Sequence, residues 1–210
     1  MGTPKYYESD RAEMLRFVPQ RSTKVLDVGC GEGYFGERLI QRQQAEVWGV
    51  EPFEAAATIA SQRLFKVLNS AFDDSIQLPE GYFDCIVFND VLEHMVNPGH
   101  ALQLSKRFLA NSDSVVVASI PNFRYWENML EIIIDKKFTY KDQGILDKTH
   151  LRFFTKDSIY DLFNKSGFDI IDISGINSTR ARKFRFLNIL LQNQIDDMRH
   201  LQFGVVAKSR

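Results

Sequence analysis

An apolar run, Val25-Leu26-Asp27-Val28, passes directly into Gly29-Cys30-Gly31-Glu32-Gly33 and then into residues with helical spacing. Three glycines at alternate positions allow positive φ and leave the backbone open where a Cβ would block it. A buried strand, a tight turn and a helix in that order form the first half of a parallel crossover unit. The chain repeats this alternation. Strands are expected at 24–28, 47–50, 65–69, 85–88 and 114–120, with helices at 34–42, 54–63 and 99–110 between some of them. Their near-continuous Val, Ile and Leu content suits strands covered on both faces.

After residue 120 the alternation loosens. Trp126, Met129, Leu130, Ile133 and Ile134 share one helical face within 125–135, and Met129, Leu130 and Ile133 are expected in the core. A polar, glycine-containing stretch (136–152) reads as a loop. Thr155 is a good N-cap for a helix that stops at Gly167. Two more strands are expected at 168–174 and 201–208. Between them an amphipathic helix at about 184–198 turns Phe184, Leu187, Leu191 and Ile195 toward the sheet. The expected fold is a single doubly wound, Rossmann-like α/β domain over 1–210. Its seven-stranded sheet is mostly parallel, with a C-terminal antiparallel strand and helices on both faces. Within it, 1–22 reads as an N-terminal lid or helix, 121–154 as a substrate-side insertion and 177–200 as an inserted helix before the last strand.

Composition narrows the partners. A net charge of −1 provides no global field to draw the chain to nucleic acid or anionic lipid. The first twenty residues contain no apolar signal core, and no run approaches the ~18 apolar residues of a membrane span. Cys30 and Cys85 read as reduced thiols without metal-ligand spacing, so the expected compartment is the cytoplasm and no metal is assigned. The 17 phenylalanines, many after position 120, fit an apolar pocket or buried interface, and a Phe-rich core equally well.

The glycine turn carries the first chemical argument. The helix behind it offers free N–H groups to a polar or anionic ligand. Glu51 stands at the tip of the second strand, where a carboxylate can accept both hydroxyls of a ribose. A pyrophosphate turn reads G-x-G-x-x-G, whereas this one is G-x-G-x-G with Asp27 just before it. That carboxylate would repel a pyrophosphate and suit an ammonium, which favours S-adenosylmethionine over a nicotinamide dinucleotide.

Val-Leu-Asp-Val-Gly-Cys-Gly-Glu-Gly resembles the first motif of the class I S-adenosylmethionine-dependent methyltransferases. The resemblance implies that cofactor, with S-adenosylhomocysteine as product. Asp27, Gly29 and Gly31 would line its amino-acid end and Glu51 its ribose, with Cys30, Gly33 and Pro52 completing the set. After the third strand, the family's acidic position near the adenine falls on Ala71. Phe72 would stack or pack on the base, with Asp73 as a substitute acid.

The stretch 83–94 resembles the family's fourth-strand motif, with Asn89 and Asp90 at the ligand end of the strand. It reads Asn-Asp-Val-Leu where DNA and protein amide methyltransferases carry D/N-P-P-Y/F. Asp90, Glu93 and His94 are spaced i, i+3 and i+4, so a helix would gather them on one face. A similar cluster in quinone-type O-methyltransferases is associated with a divalent metal; alternatively, Glu93 and His94 pin the loop through backbone hydrogen bonds. His94 or His150 could act as general base.

Ile-Pro-Asn-Phe-Arg-Tyr-Trp (120–126) and Asp-Lys-Thr-His-Leu-Arg-Phe-Phe-Thr (147–155) resemble a methyltransferase branch found with bacterial surface-polysaccharide and glycosyltransferase functions. Asn122, Arg124, Trp126 and Arg152 are the substrate-side candidates, since aromatic faces cover sugar C–H patches while polar tips take hydroxyls. Tyr6, Tyr7 and Arg11 precede the first strand; in similar enzymes this segment folds over the cofactor, and Arg11 would meet its carboxylate. The implied reaction is O-methylation of a small hydroxylated acceptor such as a sugar. A quinone- or phenol-type O-methyltransferase and a catalytically silent cofactor-binding subunit are the alternatives. The chain would act as a monomer or homodimer.

Overall fold

The computed structural model describes residues 11–210. Seven strands form one sheet: β1 (Lys24–Val28), β2 (Glu46–Val50), β3 (Lys66–Leu68), β4 (Cys85–Asn89), β5 (Val115–Pro121), β6 (Phe168–Ser178) and β7 (His200–Ser209). Six α-helices accompany them: α1 (Tyr34–Gln43), α2 (Glu54–Ala60), α3 (Pro98–Ser105), α4 (Trp126–Ile133), α5 (Lys156–Lys165) and α6 (Arg182–Leu190). The strand order is β3-β2-β1-β4-β5-β7-β6. β1 to β5 run parallel, and β7 enters antiparallel between β5 and β6. This is the expected doubly wound, Rossmann-like architecture. Its order reverses between β1 and β4, which opens a crevice beyond their carboxyl ends.

Two cores explain why the central strands are apolar throughout. Side chains alternate along a strand, so one face of the sheet takes Leu26, Val28, Ile86, Phe88, Val116 and Ala118 and the other takes Val25, Val47, Val87, Val115 and Val117. All seven residues of β5 are buried. α5 forms as its ends dictate. The Thr155 side chain accepts from Ser158 N–H, Ser158 Oγ accepts from Thr155 N–H at 2.8 Å, and Gly167 takes φ +77° beyond the last turn.

At the second core, the 3₁₀ turn Ala12–Phe17 lies over β7. A Cβ on Gly204 would fall 2.3 Å from the Phe17 ring, so this close approach requires glycine. It holds Arg11 at the crevice.

The last third departs from expectation in detail. Leu130, Ile133 and Ile134 are 37%, 66% and 67% exposed, so the apolar face of α4 is not core, although Met129 is half-buried. The long amphipathic helix at 184–198 is the shorter α6, because Gln192 and Asn193 take positive φ and a 3₁₀ turn, Asp196–Arg199, follows. On it only Phe184 and Asn188 are buried; Leu191 is exposed and Leu187 and Ile195 are half-buried. β6 runs to Ser178, α2 stops at Ala60 and α3 at Ser105, where the chain tightens into turns. Among the described residues no helix is long and apolar enough to cross a membrane.

Gly204→Ala forces the buried Phe17 ring to shift and is expected to destabilise the fold by about 1–3 kcal/mol. The shift of the urea midpoint at unchanged slope measures it, and an unchanged midpoint would mean that the ring moves without cost.

Candidate active site

β1 ends in the glycine turn, where Gly29, Gly31 and Gly33 take φ of +70°, +54° and +84°. Gly29 N–H and Cys30 N–H both donate to the Val50 carbonyl, at 2.7 and 3.2 Å, tying the turn to the end of β2. A Cβ on Gly29 would lie 2.6 Å from Val91 Cγ2, so the segment after β4 packs directly on the turn. Cys30 is buried with its thiol beside Gly49, and burial pushes that thiol up.

Two carboxyl groups lie beneath. Glu51 is 4% exposed and takes Gly31 N–H on one oxygen and Phe53 N–H on the other, each at 2.9 Å. Burial raises its pKa, and the two N–H donors oppose the rise. Each oxygen keeps a second lone pair for a further donor. Asp27, register partner of Gly49 and Val87, is 1% exposed. Among the described residues nothing donates to its side chain, and burial, reinforced by the Glu51 charge, pushes it up to about 8. Nearby, at the end of β4, both amide atoms of Asn89 are buried without a hydrogen-bond partner among the described residues. A desolvated carboxyl without donors, beside an amide with none, fits a ligand that brings an ammonium and polar atoms.

Asp90 directly follows Asn89, the last residue of β4. Its φ of +53° breaks the expected helix, which shrinks to a 3₁₀ turn at Leu92–His94, so Asp90, Glu93 and His94 do not form one face. Its carboxylate accepts from Ser119 Oγ at 2.8 Å, from Gln202 Nε2 at 3.0 Å and from Arg11 Nη1. Arg11 Nη2 also donates to Gln202 Oε1 at 3.1 Å. Arg11 therefore meets a protein carboxylate. Ser119 and Gln202 were missed. Ser119 was discoverable from its place at the carboxyl end of β5, whereas nothing local marks Gln202 on the antiparallel β7. Tyr6 and Tyr7 lie outside the described residues.

On the adenine side, Ala71 and Pro52 are exposed. Half-buried Phe72 sets its ring edge-on to Phe88 and Phe108, with centroids 5.7 and 6.1 Å apart. Asp73 Oδ1 accepts from Ser75 N–H at 3.0 Å and Ser75 Oγ at 2.6 Å, which lowers its pKa.

His94 and His150 do come together, with ring centroids 4.7 Å apart and edge-to-face. His94 Nδ1 lies 3.2 Å from the Thr149 carbonyl and His150 Nδ1 lies 2.9 Å from the Ile145 carbonyl. A carbonyl only accepts, so Nδ1 carries the proton in each ring and Nε2 is the basic nitrogen. Burial, then the neighbouring His150, lowers the His94 pKa. Glu93 is 1% exposed beside them, and among the described residues its carboxyl oxygens have no hydrogen-bond partner. Burial, then Asp90, pushes its pKa well up. One ligand atom from each of Glu93, His94 and His150 lies within 4.8 Å of the others, a spacing that could share a proton or hold a cation. The loop is pinned by the Glu93 backbone carbonyl, which accepts from Leu151 and Arg152 N–H at 2.8 and 3.0 Å.

The substrate-side candidates all make contacts within the chain. Asn122 is fully buried: its Nδ2 donates to the Asp197 and His200 carbonyls at 2.8 and 2.9 Å, and its Oδ1 accepts from Arg124 N–H. Arg124 pairs with Asp197 at 2.8 Å, and Trp126 packs on Phe184 with centroids 5.4 Å apart. Arg152 is exposed and donates to the Leu151 and Val96 carbonyls.

The geometry thus defines a cofactor crevice at the reversal point of a doubly wound sheet, with a basic pair after β4. A family model described as a methyltransferase domain matches residues 4–173. The chain belongs to this family, within the class I S-adenosylmethionine-dependent methyltransferases, and its cofactor is S-adenosylmethionine. The ubiquinone biosynthesis O-methyltransferase of Neisseria meningitidis serogroup C is 25% identical over 167 residues, 74% of this chain and 68% of that protein. Its Pseudomonas aeruginosa counterpart is 30% identical over 105 residues, 46% of this chain and 44% of that protein. A Methanocaldococcus jannaschii protein is 26% identical over 140 residues, 67% of this chain and 64% of its own length. The match thus spans about half to two thirds of these relatives. A solved methyltransferase from Archaeoglobus fulgidus shares the fold with TM-score 0.67 at 19% identity, over 98% of this chain and 97% of that one.

Two outcomes are expected. Because Asp27 is raised from 3.8 to about 8 on folding, the folded chain binds the extra proton between those values. Stability of the ligand-free protein should therefore fall as pH rises from about 4 to about 8, and Asp27→Asn should flatten that slope in urea titrations. A slope identical to wild type would contradict the burial of a titrating Asp27. Asn122→Ala should cost about 1–3 kcal/mol of stability, since it removes a buried donor from the His200 carbonyl and one of two donors from the Asp197 carbonyl. A raised acceptor KM at unchanged stability would return Asn122 to the substrate site.

Proposed function

We propose that the chain is a single catalytic domain that methylates the oxygen of a small hydroxylated acceptor, with a sugar of polysaccharide assembly as the favoured class. The observation that carries this reading is the convergence, at one sheet edge, of a donor-less buried carboxyl on β1 and a histidine pair after the adjacent β4. In this reading Asp27 meets the ammonium of the amino-acid end, the glycine turn and Asn89 lie along it, and Glu51 accepts ribose hydroxyls. Phe72 and the exposed Ala71 border the base.

When bound, S-adenosylmethionine supplies an activated methyl group. The chain's residues then have two tasks: to position the acceptor with water excluded, and to take its proton. His94 and His150 present basic Nε2 atoms because backbone carbonyls hold both Nδ1 protons. His94, lowered by burial, is neutral at pH 7 and able to accept a proton. The buried free thiols, Cys30 and Cys85, suit the reducing cytoplasm.

The ubiquinone biosynthesis O-methyltransferases among the relatives favour a second reading, in which the acceptor is a phenol or quinol. The oxygen chemistry is the same, so the histidine pair does not separate the two.

Calorimetry with S-adenosylhomocysteine should show affinity reduced about tenfold or more by Asp27→Asn. His94→Ala or His150→Ala should lower kcat by about 10²-fold with that affinity unchanged. Transfer of labelled methyl to nucleotide sugars, glycans and phenols identifies the acceptor. Turnover indifferent to both histidine substitutions would remove the pair from the chemistry, and tight cofactor binding without transfer to any acceptor would favour a silent subunit.

A further inference from the structure

The connection from β6 to β7 lies at the same sheet edge as the crevice, and it encloses a cavity of about 460 Å³. Arg180, Arg185 and Arg199 line it, and Asp196 is the only carboxylate among the lining residues. Asp196 is already engaged: its Oδ1 accepts from Asn188 Nδ2 at 3.1 Å and faces Arg199 Nη1 at 3.5 Å. The neighbouring Asp197 carboxylate is taken by Arg124 at 2.8 Å. Among the described residues the Arg180 and Arg185 guanidinium groups make no ion pair or hydrogen bond. Asn188, 6% exposed, also lines the cavity; its Oδ1 and the Arg199 Nε are buried with no hydrogen-bond partner among the described residues. α6 starts here without a side-chain cap or an acid in its first turn, so its N-terminal N–H groups add to the positive field.

Three guanidinium groups facing one concave space against one engaged carboxylate are mutually repulsive, and an anion relieves that repulsion. Planar guanidinium forks match phosphate oxygens in particular. The cavity is tied to the crevice on two sides. Trp126, just past β5, packs on Phe184 in its wall, and Gln202, near the start of β7, bonds to Asp90.

We propose that this cavity is a phosphate subsite of the acceptor, so that the molecule methylated is a hydroxylated compound carrying a phosphate or diphosphate ester. The proposal rests on the reading of the chain as an acceptor O-methyltransferase. Arg180 and Arg185 bind the ester oxygens, and Asn188 accepts from a ligand hydroxyl.

The full chain, saturated with S-adenosylhomocysteine, is titrated with UDP-glucose, UDP and inorganic phosphate. UDP-glucose and UDP are expected to bind, with inorganic phosphate weaker. Combining Arg180→Ala and Arg185→Ala should weaken UDP binding about tenfold or more, with S-adenosylhomocysteine affinity and melting temperature unchanged, and the paired lysine substitutions should restore part of it. Equal UDP affinity in wild type and variant, or no binding of UDP to wild type, overturns the proposal. So does phosphatidylglycerol vesicle binding that replaces UDP binding and vanishes in the variant, since it assigns the arginines to a lipid surface. The S-adenosylhomocysteine titration is read separately: its failure counts against the cofactor reading, while UDP still decides the cavity.

Discussion

The carboxyl edge of this sheet is organised around two acids held out of water, Asp27 and Glu51. Each raises the other's cost, and the backbone relieves only one of them: the glycine turn and the start of α2 give Glu51 two N–H donors, whereas Asp27 receives none among the described residues. For folding alone, an apolar residue at Asp27 would serve better, since its same-face neighbour on β1 is Val25 in the second apolar core. A cost of this kind placed at a topological switch point is characteristic of a site whose missing partner is a ligand. The ligand's positive charge offsets what folding leaves uncompensated.

That arrangement depends on backbone packing closer than side chains allow. Gly29 brings the segment after β4 against the turn, through Val91, and Gly204 brings the 3₁₀ turn at the N-terminal side down onto β7, through Phe17. The first contact places Glu93 and His94 beside the crevice. The second delivers Arg11 to Asp90, where Ser119 from β5 and Gln202 from β7 complete the network. Strands β4, β5 and β7 are thus joined at one edge by polar bonds as well as by the ladder. Asp90 consequently acts as a tie between elements, and Asn89, with its unpartnered amide, is the residue of this pair left for a ligand.

How much of this was legible in the sequence follows from how local each signal is. The strand, glycine turn and Glu51 are set by neighbours in sequence and by burial on both faces, so 24–51 reads correctly from composition and spacing. The capping box at Thr155 and the stop at Gly167 are equally local. Asn122 misled because a polar residue after a buried strand looks like a ligand contact, and only the return of the chain 75 residues later supplies the Asp197 carbonyl that it serves. Asp90 misled through its positive φ, which spacing arguments assume away. The apolar stripe on α4 has the period of a core helix, yet period reports a face and says nothing of what covers it. The pairing of His94 with His150 needed a loop of more than fifty residues to close, and only its members, not their contact, could be read.

The two sides of the site are therefore built by different means. The cofactor side uses parallel strands buried on both faces, where almost any substitution disturbs packing. The proposed acceptor side would use the 121–154 segment and the β6–β7 connection, whose residues are largely exposed or half-exposed and whose polar groups pair across long sequence distances. Such segments tolerate change without loss of the sheet, so recognition of the acceptor can vary while the cofactor crevice stays the same. The charges fit that division: the acids of the crevice are few and dry, whereas the arginines of the β6–β7 connection stand around an open cavity in reach of solvent. In the proposed reading a cationic ligand group would be drawn to the first and an anionic one to the second, and such opposite local fields would orient both reactants before either makes its close contacts.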